Sequence, residues 1–258
     1  MKQTVLITGA SSGIGKGFAY AYAKKSNNLV LIARSRDKLQ KIKSDLEQRY
    51  EISVDFIMLD LAEIGASTTV IKKVKEAGLS IDVVINNAGF STKGLFGSAD
   101  LKEQRDEMMV NMLTLTELAH LFTKEWAGQR GKTIINLASA AAFQATPYSA
   151  VYSASKAYVL SLTEALHIEY KDRGIFYLAV CSGPTDTAFF DKIGDFGFSK
   201  KRTVEQVVAT TFRAIEKNKM VAKDGWLTVV RSQINRVLPR KTITKIVGRI
   251  AGKYWENI

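Results

Sequence analysis

Short, nearly continuous apolar runs alternate along the chain with longer segments whose apolar residues recur every three or four positions. The runs Thr4–Thr8, Leu29–Ala33, Val54–Leu59, Val83–Asn86, Thr133–Ala138 and Phe176–Cys181 are rich in β-branched residues and too short for helices. They predict strands. Between them the helical period predicts helices beginning near Gly13, Asp37, Glu63, Lys102, Ala150 and Thr203. Strands apolar on both faces and separated by helices imply an α/β fold, a doubly wound parallel sheet with helices on both sides. No Pro/Gly/Ser-rich linker, repeat or low-complexity tract interrupts the alternation, so the 258 residues read as a single domain.

Sheets of this kind bind ligands outside the carboxyl ends of their strands. Gly9, Arg34, Asp60, Asn87, Ser139 and Ser182 all fall at those predicted ends. The first strand runs into Thr8-Gly9-Ala10-Ser11-Ser12-Gly13-Ile14-Gly15, and a helical pattern follows. Strand, glycine turn and helix make a Rossmann-like phosphate site: glycines let backbone N–H groups approach a pyrophosphate, and the helix N-terminus attracts its charge. The spacing Gly-x-x-x-Gly-x-Gly differs from the more familiar dinucleotide fingerprint.

The second strand ends Ala33-Arg34-Ser35-Arg36, with no carboxylate until Asp37. A carboxylate at this place bonds the ribose 2′-hydroxyl of NAD, whereas an arginine accommodates a 2′-phosphate. Arg34, with Ser35 and Ser12 as added donors, therefore favours NADP(H) over NAD(H). Asp37 reads as an early helix residue beside a positive dipole end.

Tyr152 and Lys156 are four residues apart in Tyr-Ser-Ala-Ser-Lys, which places them on one helical face. A tyrosine alone is a poor acid or base near neutrality, with a pKa of about 10. A nearby ammonium is expected to lower that value. Ser139 lies thirteen residues before the tyrosine and offers a hydroxyl to the same chemistry.

Six landmarks in order carry a family resemblance: Thr8 to Gly15, Asp60-Leu61, Asn86-Asn87-Ala88-Gly89, Asn111, Ser139, and Tyr152 to Lys156. Together they resemble the short-chain dehydrogenases/reductases from Thr4 to about Thr187, with a weaker match beyond. The resemblance implies hydride transfer between a nicotinamide and a ketone, aldehyde or secondary alcohol. Asn111, Ser139, Tyr152 and Lys156 are the implied catalytic group: Tyr152 as proton donor or acceptor, Ser139 bonding the substrate oxygen, and Lys156 holding the nicotinamide ribose. Asn111 is implied to hold a water leading from the lysine to solvent. Gly9, Ser11, Ser12, Gly13, Ile14, Gly15, Arg34 and Ser35 are implied at the phosphate and adenosine end of the cofactor. Asp60 and Leu61 are implied at the adenine, and Asn87, Ala88 and Gly89 along the dinucleotide. Gly183, Thr185 and Thr187 are implied at the nicotinamide, where Ser182 stands in place of the family's usual proline. The implied partners are a small-molecule substrate and further copies of the chain, as homodimer or homotetramer, through Lys102–Gly128 and Val151–Arg173.

Other features change the picture less. A net charge of +12 attracts anions, but no aromatic-plus-basic nucleic-acid module is present. One cysteine, Cys181, excludes a disulfide framework and suits a reducing compartment. Neither a signal segment nor a run of eighteen apolar residues is found, so a cytoplasmic location is expected. His120 and His167 have no ligand cluster beside them, and no metal is expected. No nucleophile-elbow pattern surrounds Ser139.

Phe189, Phe190, Phe196 and Phe198 lie within 186–202, where the family places a substrate lid. In the basic segment 226–258, Ile243, Ile246, Val247, Ile250, Ala251 and Tyr254 follow a helical period with Lys245, Arg249 and Lys253 opposite. Three uses are open: packing over the cleft or core, a subunit interface, and peripheral attachment to a membrane, which is not the favoured one. The preceding Val237-Leu238-Pro239-Arg240 resembles a branch of the family that includes lipid-type and 3-ketoacyl reductases and bacterial oxidoreductases of undefined substrate. A second functional class also stays open, a regulatory protein that binds NADP(H) without turnover.

Overall fold

A computed structural model describes residues 2–189 and 201–255, with the backbone alone at 235, 236 and 255. Seven parallel strands form one sheet in the order β3-β2-β1-β4-β5-β6-β7. They are β1 Thr4–Thr8, β2 Asn28–Ala33, β3 Val54–Met58, β4 Val83–Asn86, β5 Lys132–Leu137, β6 Ile175–Cys181 and β7 Val221–Lys223. The first six lie where the apolar runs predict them, within a residue at each end. The order reverses between β1 and β4, so a crevice opens there at the strands' carboxyl ends.

Each face of the sheet has its own apolar core. On one side α1 (Gly13–Lys24) and α2 (Arg36–Arg49) bury Phe18, Tyr22, Leu39 and Leu46. On the other, α3 (Ala66–Glu76) and α5 (Leu115–Glu125) bury Val70, Leu118 and Phe122 beneath Trp126. Between β4 and α5 runs α4 (Leu101–Met108), continued by a π-helical turn, Met109–Thr114. The long helix α6 (Ala150–Tyr170) packs beside β6, and α7 (Val204–Glu216) beside α1.

Two stretches differ from the sequence expectation. The third helix starts at Ala66, not near Glu63: Asp60 Oδ1 accepts from Ala62 N at 3.0 Å, and Gly65 takes a left-handed φ of +79° before the first helical residue. The basic tail forms two helices, α8 (Trp226–Val237) and α9 (Arg240–Trp255), because Leu238 before Pro239 is extended.

Candidate active site

The glycine turn is tied to the sheet's switch point by two side chains. Thr8 Oγ1 donates to Ile85 O and accepts from Asn87 N at 2.9 Å and Ala88 N at 3.0 Å. Asn87 Nδ2 donates to Thr8 O at 2.9 Å and Gly9 O at 3.3 Å. This closure leaves no room for side chains. A Cβ on Gly9, whose φ is +65°, would stand 2.9 Å from Ala88 Cα, and one on Gly15 would stand 2.4 Å from Gly9 O. Ser12 caps α1 with extended backbone and no side-chain capping bond, beside partly exposed Ser11 and Ile14. The first N–H groups of α1 therefore end in a cradle floored by backbone, which fits a pyrophosphate.

At the adenosine end, Arg34 follows β2 and Ser35 caps α2. The Arg34 guanidinium is 70% exposed and 3.7 Å from Asp60 Oδ2. Leu61, implied at the adenine, buries its side chain in the core, and its carbonyl accepts from Thr114 Oγ1 at 2.8 Å.

Ser139 ends the β5 run in extended conformation and caps a short 3-10 turn, Ala140–Phe143, accepting from Ala141 N at 3.1 Å. Ala140 N donates to Ser182 O at 2.8 Å, fixing the ends of β5 and β6 together. The Ser139 hydroxyl faces the Tyr152 phenol and acts to lower its pKa. Lys156 lies on the same face of α6, with Nζ 5.7 Å from the centre of the Tyr152 ring. The three residues brought together are those the sequence singled out.

The tyrosine's acidity departs from expectation. Burial pushes the Tyr152 phenol up to about 12, opposed by the Ser139 hydroxyl and reinforced by the charge of Glu107. Lys156 is brought down to about 8, again by burial, against opposing pulls from Glu107 and Cys181. A cation that is itself being neutralised by desolvation is a weak depressor of its neighbour's pKa. The phenol is therefore held protonated, which suits proton donation.

Asn111 is fully buried in the π-helical turn and not in a regular helix. Its amide is engaged on both sides: Oδ1 accepts from Phe90 N, and Nδ2 donates to Phe90 O at 2.9 Å and Ser155 Oγ at 3.2 Å. It clamps the loop after β4 to α6. A Cβ on Gly89 would meet Asn111 Oδ1 at 2.8 Å and Lys156 Nζ at 3.3 Å, so Gly89 is the bare backbone that lets these groups meet.

On the far side, Gly183 O accepts from Thr185 Oγ1, and Thr185 pairs with Arg202 as an isolated bridge. Thr187 reaches the glycine turn, where its Cγ2 would be 3.2 Å from a Cβ on Gly13. The Phe189 ring lies 5.6 Å from that of Tyr152. The lid expected over 186–202 is thus described at its two ends; Phe190, Phe196 and Phe198 lie outside the described residues.

Three participants carry no sequence signal. Glu107 is fully buried one turn before Asn111, with Oε2 accepting from Thr92 N at 2.7 Å and Thr92 Oγ1 at 2.6 Å. Its Oε1 has no hydrogen-bond partner among the described residues, and burial raises its pKa. Tyr148, at the foot of α6, holds a left-handed φ of +63°, with Gly94 N donating to its carbonyl at 2.9 Å. Asp224, buried after β7, anchors Arg202.

Sheet order, glycine cradle and the Ser/Tyr/Lys group define a Rossmann-like α/β protein of the nucleotide-binding kind. The sequence profile of the short chain dehydrogenase family matches residues 3–196. The chain belongs to that family. It is 31% identical over 198 residues to a very-long-chain 3-oxoacyl-CoA reductase of Anas platyrhynchos, covering 72% of this chain and 63% of the relative. It is 33% identical over 180 residues to the 17-beta-hydroxysteroid dehydrogenase type 3 of Mus musculus, covering 68% and 57%. These matches span about half to under two thirds of the curated relatives' own length. Among solved structures, a short-chain dehydrogenase from Sphingobium yanoikuyae in complex with NADPH superposes with a TM-score of 0.79 at 29% identity, covering 85% of this chain and 87% of that one.

Proposed function

We propose that the chain is an NADPH-dependent carbonyl reductase, working in reverse as an alcohol dehydrogenase, on an apolar ketone, aldehyde or secondary alcohol. The observation that carries this reading is the half-buried Tyr152 phenol, with Ser139, Lys156 and Phe189 gathered around it. A bound nicotinamide dinucleotide supplies the hydride to the substrate carbon. Tyr152 gives its proton to the carbonyl oxygen, and Ser139 donates to that oxygen as negative charge develops. The α1 cradle holds the pyrophosphate, and Arg34 with Ser35 receives a 2′-phosphate. Lys156 lies where it can bond a ribose hydroxyl and steady the phenol.

An apolar substrate follows from the Phe189 ring against Tyr152 and from relatives named for 3-oxoacyl-CoA and hydroxysteroids. A homo-oligomer fits the exposed Leu113, Tyr158 and Ile168 on the outer faces of the π-helical turn and α6. A reducing cytoplasm suits the one buried thiol, Cys181.

The test is NADPH consumption against aryl ketones, 3-oxoacyl thioesters and ketosteroids. Turnover is expected with at least one class, and Tyr152→Phe is expected to bind NADPH while turning over nothing. A chain that binds NADPH yet reduces no carbonyl is the non-catalytic protein instead. Activity retained in Tyr152→Phe removes the proposed proton donor.

A further inference from the structure

The helix α8 is turned inside out. Its buried positions are polar: Thr228 and Ser232 face inward, with Thr228 Oγ1 at 3.1 Å from where a Gly183 Cβ would stand. Its outward row is apolar, with Trp226, Val230, Ile234 and Val237 at i, i+4, i+8 and i+11. Trp226 is 72% exposed and Val237 81%.

In α9, Ile243 and Ala251 pack inward, and Gly248 abuts Pro147. Ile246, Ile250 and Tyr254 form a second exposed apolar row. Lys245, Arg249 and Lys253 run parallel to it, one position earlier, and are exposed as well. Packing over the core, one of the three uses the sequence leaves open, accounts for one face only.

Charge identifies what covers the other face. From Trp226 through Trp255 the chain carries seven Lys and Arg residues and no Asp or Glu. A second copy docked isologously would set these cations against their own equivalents, which disfavours it. An anionic bilayer supplies both missing halves: an apolar interior for the two rows and a dense negative surface for the cations. Trp226 and Tyr254 are residue types that settle at the headgroup level. No described helix is long and apolar enough to cross a membrane, so the contact is peripheral.

We propose that α8 and α9 dock the protein on an anionic lipid surface. Because α9 rests on Pro147, five residues ahead of Tyr152, docking sets the membrane beside the mouth of the cleft. The proposal goes beyond catalysis and stands whether or not the site turns over.

The experiment is flotation of the full chain with phosphatidylcholine vesicles and with vesicles containing phosphatidylglycerol, at low and high salt. Recovery is expected with the anionic vesicles at low salt, lost in the neutral ones and reversed by salt. Lys245→Gln/Arg249→Gln/Lys253→Gln is expected to lower partitioning on the order of a hundredfold. Val230→Glu/Ile250→Glu is expected to abolish it, with the thermal melt of each variant confirming the fold. No recovery on anionic vesicles at low salt overturns the proposal, as does recovery unchanged in both variants. A dimer seen by light scattering that Val230→Glu/Ile250→Glu splits, without vesicle binding, gives the face to a second copy and overturns it too.

Discussion

The Lys156 ammonium donates to the Leu137 carbonyl at 2.8 Å, so the cation of the site hangs from the end of β5. It is 4% exposed, and its pKa is brought down to about 8 from 10.5. An unfolded chain binds this proton below about 10.5, the folded one only below about 8. Folding is therefore opposed increasingly as pH falls between those values, and the full cost persists below them. That cost is roughly 3 kcal/mol, offset by about 1 kcal/mol from the Leu137 bond. Lys156→Met should raise the melting temperature at neutral pH by about 4–8 °C while abolishing turnover. The gain should shrink toward pH 10.5. Melts of both proteins across pH 7 to 10.5 decide it, and a variant less stable at pH 7 contradicts the argument.

Glu107 acts on the same pair from the other side. Its charge raises the pKa of both Tyr152 and Lys156, while Thr92 holds it by two short bonds. Glu107→Gln keeps an acceptor for Thr92 and removes the charge. The pKa governing alcohol oxidation, in which Tyr152 must lose its proton, should move to lower pH. An unchanged pH profile means the carboxylate only braces the Thr92 loop.

How far these residues were legible follows from where their signals reside. The sheet and its ligand-bearing ends could be read because buried parallel strands are continuous apolar runs and the glycine turn has a fixed spacing. Tyr152 and Lys156 could be read because four residues is one helical turn, and Ser139 through the family resemblance. Glu107 could not, since its burial is created by the loop through Thr92 folding over α4, a tertiary event without local pattern. The strand Val221–Lys223 is too short to show alternation; it is placed by Ala179 N bonding Met220 O and Asp224 N bonding Cys181 O. The tyrosine's pKa is not legible in the same way, because spacing reports that a cation is near and says nothing of how deeply both groups are desolvated.

Arg34 tests the cofactor preference. Its guanidinium is exposed and only loosely paired with Asp60 at 3.7 Å, so it is available to a 2′-phosphate. Arg34→Asp should weaken NADPH binding on the order of a hundredfold, by losing a charge-assisted pair and adding repulsion. NADH binding should change little. Titration of both dinucleotides by fluorescence reads the difference, and equal losses place the 2′-phosphate elsewhere.

Arg202 and Asp224 form a two-pronged ion pair beside the bridge between Thr185 and Arg202. Arg202 donates through Nε at 3.0 Å and Nη2 at 2.9 Å to the two oxygens of Asp224, which is 1% exposed and also accepts from Thr210 Oγ1. The Arg202 backbone in turn bonds Pro184 O and Asp186 N, which fixes the chain beside Thr187. Arg202→Leu strands a buried carboxylate and should cost about 3–5 kcal/mol, lowering the melting temperature by on the order of 10 °C. Asp224→Asn added to Arg202→Leu removes the orphan charge and should recover part of that loss. Because the bridge sets the path of the segment that reaches the cleft, the double variant should show a raised KM for NADPH with the fold retained. A double variant no more stable than Arg202→Leu alone shows that the cost lies in lost packing and not in the unpaired charge.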